Sequence, residues 1–545
     1  MVVKQNRNSG IQTTNQITGK RKWWALATVM MTMFFSSMNQ TVVSTAIPTI
    51  IGDLNGFELF AWIFSAFMIT SAVTVPIYGK LSDVYGRKPF YIFGLIMFAV
   101  GSAVSGLAQN MLMLIIARAI QGIGAGAMMS MPRATIGDIF NPKERGRWMG
   151  VIGAVFGLSS ILGPTIGGWI TDEWGWRWVF YVNLPFAVLA LIGVLFALPK
   201  VRTSEQASID WIGSFLLVLG LLPILLGFTW AGSKYDWSSP VEISLFGAGI
   251  IILILFYIYE RKAANPVIDT KLFKNQIFST SLILGIFVAM GMFGATMFLP
   301  LFVQGVVGLD AQSSGLVMSP MMISFIVGSV VSGQIMSRTG KYKKLSHISA
   351  ILMAVGLFLF TQMDVNTTYP TVIINMIVLG LGIGSLMPLL NIAVQNAFPY
   401  KMMGTVNATQ QFVSSLGGVI ASPIFGSILN NGFADKLETS LPKQLMQMKE
   451  KMGDVNPQAL LTKEAQEALA ANFKKLGDAG IELYNSFLHA VKVSLTTGVH
   501  HLFIVAVVFG CLTFIGTFFL PEIGLKDDDY FAEANKDTAS TEKAN

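Results

Sequence analysis

A short charged segment interrupts the apolar sequence near residue 80. It reads Gly79-Lys80-Leu81-Ser82-Asp83-Val84-Tyr85-Gly86-Arg87-Lys88. The Asp83 carboxylate can accept hydrogen bonds from Arg87 or from donors on another part of the chain. Gly79 and Gly86 permit a tight turn and a close approach of helices. We therefore expect a charge cluster at this segment. The alternative is a topological role, in which the segment supplies only positive charge and a turn.

Residues that could carry enzymatic or metal chemistry are sparse in the rest of the sequence. The single cysteine, Cys511, excludes a disulfide framework and a cysteine-ligated metal site. The four histidines have no metal-ligand spacing, and the sequence has no recognisable phosphate-binding loop or nucleophile motif. We expect no enzyme activity, no cofactor and no metal. We also expect no nucleic-acid partner, because the placement of the basic residues explains the net charge of +7.

Composition indicates a membrane protein made of helices. Of the 545 residues, 53% are hydrophobic and 12% are charged, whereas a soluble protein carries about 25% charged residues. A helix needs about 20 apolar residues to cross the hydrocarbon layer. On this basis we predict fourteen transmembrane helices, at residues 23–47, 58–79, 90–108, 111–131, 147–170, 179–198, 211–230, 241–259, 279–303, 314–336, 345–363, 370–395, 404–429 and 499–520.

Basic residues are concentrated in alternate loops, and this pattern predicts the orientation. The tail formed by residues 1–22 contains five basic residues, and every second loop after it is also basic. Because cytoplasmic loops carry the Lys and Arg excess, we expect both termini in the cytoplasm and the chain in the cytoplasmic membrane. The acidic tail, residues 522–545, is then cytoplasmic. The long loop 430–490 is extracellular, with one or two amphipathic helices resting on the outer face.

Arg118 is the charged residue that lies deepest in a predicted span. It is about a third of the way along the span 111–131, with no acid within a helical turn. An arginine at this depth costs roughly 2.5–3.5 kcal/mol, so we expect it to face a water-filled cavity and to have a partner. Gln121 falls on the same face of the helix. Arg118 could act in proton coupling or anchor an anionic group. In the competing interpretation it bonds backbone carbonyls and fixes helix packing.

Uncharged polar residues recur at helical spacing in the spans that could line a pathway. Buried amides are costly in lipid unless they face water or a partner. Hydrogen bonding between helices is an equally good explanation of such residues. Together with one aromatic residue of the second span, the candidates for substrate binding are Asn39, Trp62, Gln121, Gln304, Asn391, Gln395, Asn407 and Gln411.

The sequence contains an internal repeat. A second loop, Gly333-Gln334-Ile335-Met336-Ser337-Arg338-Thr339-Gly340-Lys341, matches the first at both glycines and at the basic residue, with Ser337 in the place of Asp83. The repeat predicts two six-helix bundles, residues 23–200 and 266–521, with a binding site between them. The two loops are 254 residues apart, which leaves room for two linker transmembrane helices in residues 201–265.

The segment from Gly79 to Lys88 resembles the signature of the major facilitator superfamily. The fourth span reads Arg118-Ala119-Ile120-Gln121-Gly122-Ile123-Gly124-Ala125-Gly126, which is similar to the second motif of that superfamily. The fifth span resembles its antiporter motif through Gly153, Gly157, Gly163, Pro164, Gly167 and Gly168. With fourteen spans, the chain resembles the drug:proton antiporters of the quaternary-ammonium exporter type.

This resemblance implies roles for the motif residues. Asp83, Gly86 and Arg87 would form a conformational latch, which Asp138 joins, and breaking the latch would cost energy that ligand or proton binding must offset. Arg118 would take part in proton coupling. The glycines and Pro164 would form a hinge or a seal. The family usually has an aspartate where this chain has Asn39, and we find no Asp or Glu squarely inside any predicted span. Proton coupling would then depend on edge acids such as Asp83, Asp138 or Glu58, or on the substrate.

We therefore expect a secondary active exporter of small amphipathic organic compounds that works by alternating access, in exchange for protons. Two alternatives stay open. One is an exporter of a specific endogenous anionic metabolite or lipid, and the other is a membrane sensor that binds a ligand without transporting it.

Overall fold

The structure, a computed structural model, describes residues 20–54, 59–140, 142–198, 210–231, 235–263, 265–307, 318–399, 402–441, 470, 473 and 478–524. Within these ranges the regular structure is helical, with one isolated bridge between Ala231 and Tyr235. The prediction of an all-α fold is confirmed. The first part of the chain forms α1 (Lys20–Leu54), α2 (Phe60–Tyr85), α3 (Arg87–Gly106), α4 (Met111–Ile139), α5 (Pro142–Trp174), α6 (Trp178–Tyr181) and α7 (Asn183–Ala197).

The second part of the chain continues the same architecture. It forms α8 (Trp211–Trp230), α9 (Pro240–Glu260), α10 (Gln276–Phe302), α11 (Ser319–Thr339), α12 (Lys343–Thr361), α13 (Tyr369–Ala397), α14 (Met403–Ser440) and α15 (Asp478–Phe518). Two short elements border α10: a 3₁₀-helix before it (Thr270–Lys274) and a π-helical turn after it (Val303–Val307).

Thirteen apolar segments in the described residues are long enough to cross a membrane. The α6–α7 pair counts as one of them. The helix α1 corresponds to the first predicted span and packs against α4, α5 and α7, but it is not among the thirteen. Hydroxyl and amide side chains, such as Ser36, Asn39 and Gln40, interrupt its apolar sequence. The structure therefore supports a multi-pass membrane protein, and the count of fourteen spans stays a prediction.

The helices on either side of the predicted loop 430–490 are longer than expected. The helix α14 continues to Ser440, and α15 begins at Asp478 rather than near residue 499. Hydropathy identifies the residues that can cross hydrocarbon, whereas a helix continues into polar sequence as long as nothing terminates it. The predicted amphipathic segment falls outside the described residues except for Ala470 and Phe473.

Two pairs of helices form the most extensive contacts between the two halves of the repeat. The helix α5 packs along α11, and α2 packs along α14. The linker pair, α8 and α9, packs mainly on itself and touches α2 and α14 from the side. Large apolar residues of this pair are exposed, for example Phe215 and Ile251 at 63% and 60%, as expected for a surface in contact with lipid. The domain boundaries at residues 200 and 266 stay predictions.

The matching loops of the repeat are both built on a glycine with positive φ. Gly86 (φ 85°) separates α2 from α3, and Gly340 (φ 68°) ends α11. A side chain is strained in these conformations. We call the end of the bundle where α2 meets α3 the Asp83 face, and the other end the opposite face.

Candidate functional site

Asp83, Arg87 and Asp138 meet at the Asp83 face and form what we call the Asp83 cluster. Arg87 lies between the two carboxylates: its Nη1 is 2.8 Å from Asp83 Oδ1, and its Nε is 2.9 Å from Asp138 Oδ2. Arg87 also donates to the Ser82 hydroxyl at 2.6 Å. The side chains of all three cluster residues are less than 15% exposed. The structure thus brings together the residues that the sequence placed in one charge cluster.

The Asp83 cluster also connects the two halves. Asp83 Oδ1 accepts a hydrogen bond from the Gly404 N–H at 2.8 Å, and Oδ2 accepts from the Thr405 N–H at 2.6 Å. These two residues are in the first turn of α14, whose own N-cap, Met402, makes no side-chain cap. The first N–H groups of a helix have no partner within the helix, and they attract negative charge. Asp83 therefore caps a helix of the opposite half.

Close packing around the Asp83 cluster depends on glycine. A Cβ added to Gly404 would overlap the side chains of Arg87 and Asp83, and one added to Gly79 would overlap the Cβ of Ala408. Glycine at these two positions lets α2 and α14 approach closely enough for the capping hydrogen bonds to form.

The glycines of α5 face two different neighbours. Gly153 and Gly157 pack against Ser329 and Ile326 of α11, in the other half of the molecule. Gly163 and Gly167 pack against Thr41 and Thr45 of α1.

Gly168 and Pro164 complete the predicted antiporter motif. The Cα of Gly168 faces open space, so this glycine takes no part in the close packing. Pro164 lies inside α5, which continues through it to Trp174.

Arg118 is completely buried, and its partners are neutral. Its Nη1 donates to Asn39 Oδ1 at 2.7 Å and to Gln121 Oε1 at 2.5 Å, and its Nε donates to the Ile63 carbonyl at 3.1 Å. The guanidinium Cζ lies 4.2 Å from the centre of the Phe67 ring.

This environment differs from the water-filled cavity that we expected for Arg118. The amide oxygens of Asn39 and Gln121 disperse its charge, and Gln121 in turn donates to the Ser102 hydroxyl. These hydrogen bonds tie α1, α2 and α3 to α4. Such a network fits the packing interpretation of Arg118.

A central cavity lies between the two halves of the bundle. Residues of α1, α2, α4 and α5 form one wall, and residues of α10, α11, α13 and α14 form the other. The lining is mainly apolar, with several phenylalanine and methionine side chains, and it includes a few amides and hydroxyls. Its polar members are Gln40, Ser71, Arg133, Ser329, Asn391, Gln410, Gln411, Ser414 and Ser415. Binding sites for small organic molecules have this composition.

Two of the predicted binding residues, Asn391 and Gln411, line this cavity. Five others lie away from it. Asn39 and Gln121 bond to Arg118, Gln395 donates to Asn407 at 2.7 Å, and Trp62 packs edge-on against Trp230 of the linker pair. The four amides among these five residues form hydrogen bonds with side chains of neighbouring helices. This is the alternative to a role in the pathway that the sequence left open. The side chain of Gln304 falls outside the described residues.

Arg133 is the charged residue among the described lining residues of this cavity, and the sequence did not predict it, nor did it predict Gln40, Ser71 or Ser329. The predicted fourth span ended at residue 131, so Arg133 lay two residues beyond it. In the structure α4 continues to Ile139, so Arg133 lies inside the helix and lines the cavity. The sequence contained one signal for it. Arg133 follows Arg118 by 15 residues, about four helical turns, which puts the two arginines on the same side of one continuous helix.

The described part of the chain holds no group of three His, Cys, Asp or Glu side chains that could bind a metal ion. The central cavity and the Asp83 cluster are suited to ligand binding and to conformational coupling. A cavity lined by helices from both parts of the chain and an interface that is capped at one face are features that an alternating-access carrier requires.

Comparisons with known proteins agree with this architecture. The family model described as Major Facilitator Superfamily matches residues 29–422. The multidrug transporter protein MdtP of Bacillus subtilis (strain 168) is 37% identical over 526 residues, which cover 94% of this chain and 95% of that protein. Multidrug resistance protein 3 of the same organism is 39% identical over 409 residues, 75% of this chain and 80% of that protein.

Among solved structures, the proton:xylose symporter XylE bound to 6-bromo-6-deoxy-D-glucose matches with a TM-score of 0.59 and 14% identity, covering 94% of this chain and 98% of the other. The human organic anion transporter MFSD10 (TETRAN) matches with a TM-score of 0.57 and 15% identity, covering 90% and 99%. At these identities the two structures establish the fold. The family match and the two Bacillus relatives establish more: this chain belongs to the major facilitator superfamily, and it is a secondary transporter rather than an enzyme.

Proposed function

We propose that this transporter exports small amphipathic organic compounds across the cytoplasmic membrane in exchange for protons. The observation that carries the proposal is the central cavity, because both halves of the repeat line it and apolar side chains dominate its wall. Phenylalanine and methionine side chains adapt to ligands of different shape. The names of the two Bacillus relatives support the same substrate class.

We assign the Asp83 face to the cytoplasm. The positive-inside pattern of the sequence supports this orientation, which places both termini in the cytoplasm. With the Asp83 cluster formed, α2 and α14 are held together on this side. The conformation described above is then the one that is closed toward the cytoplasm.

The Asp83 cluster is our candidate for the coupling site. Among the described residues that line the cavity none is an Asp or Glu, so a carboxylate that changes charge must lie elsewhere. Protonation of Asp83 or Asp138 would remove the negative charge that holds Arg87, and protonation of Asp83 would also weaken the cap on α14. Proton binding would thereby open the cytoplasmic side, and proton release would close it.

Transport in proteoliposomes tests the proposal. We expect a pH gradient to drive uptake of amphipathic compounds into vesicles that contain the inserted protein, with proton movement in the opposite direction. Asp83→Asn and Asp138→Asn should each reduce the gradient-driven flux at least tenfold. Glu144→Gln is a matched control, because Glu144 is on the same face but is half-exposed and outside the Asp83 cluster.

Two results would contradict the proposal. Saturable binding of the compounds without flux would favour the ligand sensor. Flux that is independent of the pH gradient would show that export is not coupled to proton exchange.

A further inference from the structure

We propose that Arg133 makes the central cavity selective for amphipathic anions, such as aromatic carboxylates and sulfonates. This inference rests on the proposed function for the transport step, and it adds the charge of the substrate. It comes from the position of one side chain in the cavity wall and from the groups that surround it.

Arg133 brings a positive charge to a wall whose other described residues are neutral. The neighbouring helices contribute amides and hydroxyls to the described lining: Gln40 from α1, Ser71 from α2, Asn391 from α13, and Gln410 and Gln411 from α14. The lining residues in the described part of the chain include no carboxylate and no second basic residue. The described lining of the cavity thus carries a net positive charge.

The charge of Arg133 is not neutralised within the described part of the chain. None of the ion pairs found there includes Arg133, and its buried Nε has no hydrogen-bond partner among the described residues. Asp138, one turn and a half further along α4, is held by two hydrogen bonds from Arg87. Arg118 differs from Arg133 in its hydrogen bonds: it donates to two amide oxygens and a backbone carbonyl, and only its Nη2 is without a partner among the described residues.

An uncompensated guanidinium in a largely apolar cavity favours an anionic ligand. A buried charge without a partner is costly, and a carboxylate or sulfonate would provide that partner through short, charge-assisted hydrogen bonds. The apolar part of the ligand would lie against the aromatic side chains on the cavity wall, for example Phe156, Phe293 and Phe325. A cationic ligand would be repelled by the same charge, and the described lining residues include no acid to attract it.

Three probes that share one ring system test this inference. They are 1-naphthaleneacetate (anionic), 1-naphthaleneacetamide (neutral) and (1-naphthylmethyl)trimethylammonium (cationic), each radiolabelled, with binding measured on the purified full-length protein in nanodiscs. We expect the wild-type protein to bind the anion at least tenfold more tightly than the cation. This comparison needs no variant, so a folding defect cannot obscure it.

Variants then assign the preference to one residue. Arg133→Gln should weaken binding of the anion about tenfold or more and change binding of the neutral amide less than twofold, whereas Arg133→Lys should keep most of the preference. Arg261→Gln removes the same charge from an exposed position at the end of α9 and should leave all three affinities unchanged.

The outcomes separate this inference from the proposed function. Equal binding of anion and cation by the wild type, or an unchanged anion preference in Arg133→Gln, would overturn the inference even if export is observed. Anion-selective binding that depends on Arg133, without flux of any probe in proteoliposomes, would support the inference and contradict the proposed export.

Discussion

The carboxylate of Asp83 caps the first turn of α14 by accepting hydrogen bonds from both the backbone N–H and the hydroxyl of Thr405, at 2.6 and 2.8 Å. The two residues are 322 positions apart and belong to different halves of the repeat. A helix end that lacks its own cap is thus completed by a charge from the other half. The connection can be broken by separating α2 from α14, which makes it suitable for a conformational change.

Replacing Asp83 by Asn should favour the state that is open at the Asp83 face. The amide keeps the shape of the side chain but removes the charge, and a hydrogen bond to a charged group contributes about 1.5–3 kcal/mol. We expect the equilibrium to shift tenfold or more toward the open state. The shift can be measured as a longer distance between spin labels on cysteines placed at the exposed positions Tyr85 and Pro399, in a Cys511→Ser background.

The equivalent position of the second loop provides the control. Ser337 stands in the place of Asp83 and carries no charge, so Ser337→Ala should leave the distance distribution close to that of the wild type. Identical distances in wild type and Asp83→Asn would show that the cap on α14 does not hold the two helices together.

Gly153→Ala should destabilise the contact between α5 and α11. The added methyl carbon would come within 2.8 Å of the Ser329 Cβ, and overpacking of this kind costs about 1–3 kcal/mol. We expect a lower melting temperature in detergent and a slower transport rate. Gly168→Ala is the matched control, since nothing lies within 4 Å of the added atom. Equal effects of the two substitutions would exclude close packing as the reason for glycine at position 153.

The effects of substituting Arg118 and Asn39 on the melting temperature should not be additive. Arg118→Ala leaves the buried oxygens of Asn39 and Gln121 without their donor, and an unsatisfied buried group costs about 1–3 kcal/mol. We expect Arg118→Ala and the double variant with Asn39→Ala to lower the melting temperature by similar amounts. Additive effects of the two single substitutions would instead show that the hydrogen bond between them contributes little.

Asp53 at the opposite face should contribute much less than Asp83. Its Oδ2 accepts from Arg177 at 2.7 Å and from the Trp176 ring N–H at 2.9 Å, but both charged side chains are more than 40% exposed. Water and salt screen such a pair. We expect Asp53→Asn to lower the melting temperature slightly at low salt, with no difference from wild type in 1 M salt and no change in flux. A large, salt-independent loss of stability would contradict this view.

The sequence by itself determined the class of the protein, the positions of most helices and the pairing of Asp83 with Arg87. These features depend on local order along the chain: apolar length, alternating charge, and repeated loops with glycine at fixed positions. The place of Asp138 in the Asp83 cluster was implied by the family resemblance. Hydropathy was less informative about helix ends, because helices extend beyond the residues that cross hydrocarbon. This is why Arg133 lay beyond the predicted end of its span and why α14 and α15 are longer than predicted.

Only the tertiary structure decided which polar residues face the cavity. Helical periodicity shows which residues share a face, but it does not show what that face meets. Asn39 and Gln121 face Arg118, whereas Asn391 and Gln411 face the space between the halves. All four residues look alike in the sequence, since a buried amide can satisfy its hydrogen bonds on a neighbouring helix or in a cavity, and the packing of distant segments determines which of these it does.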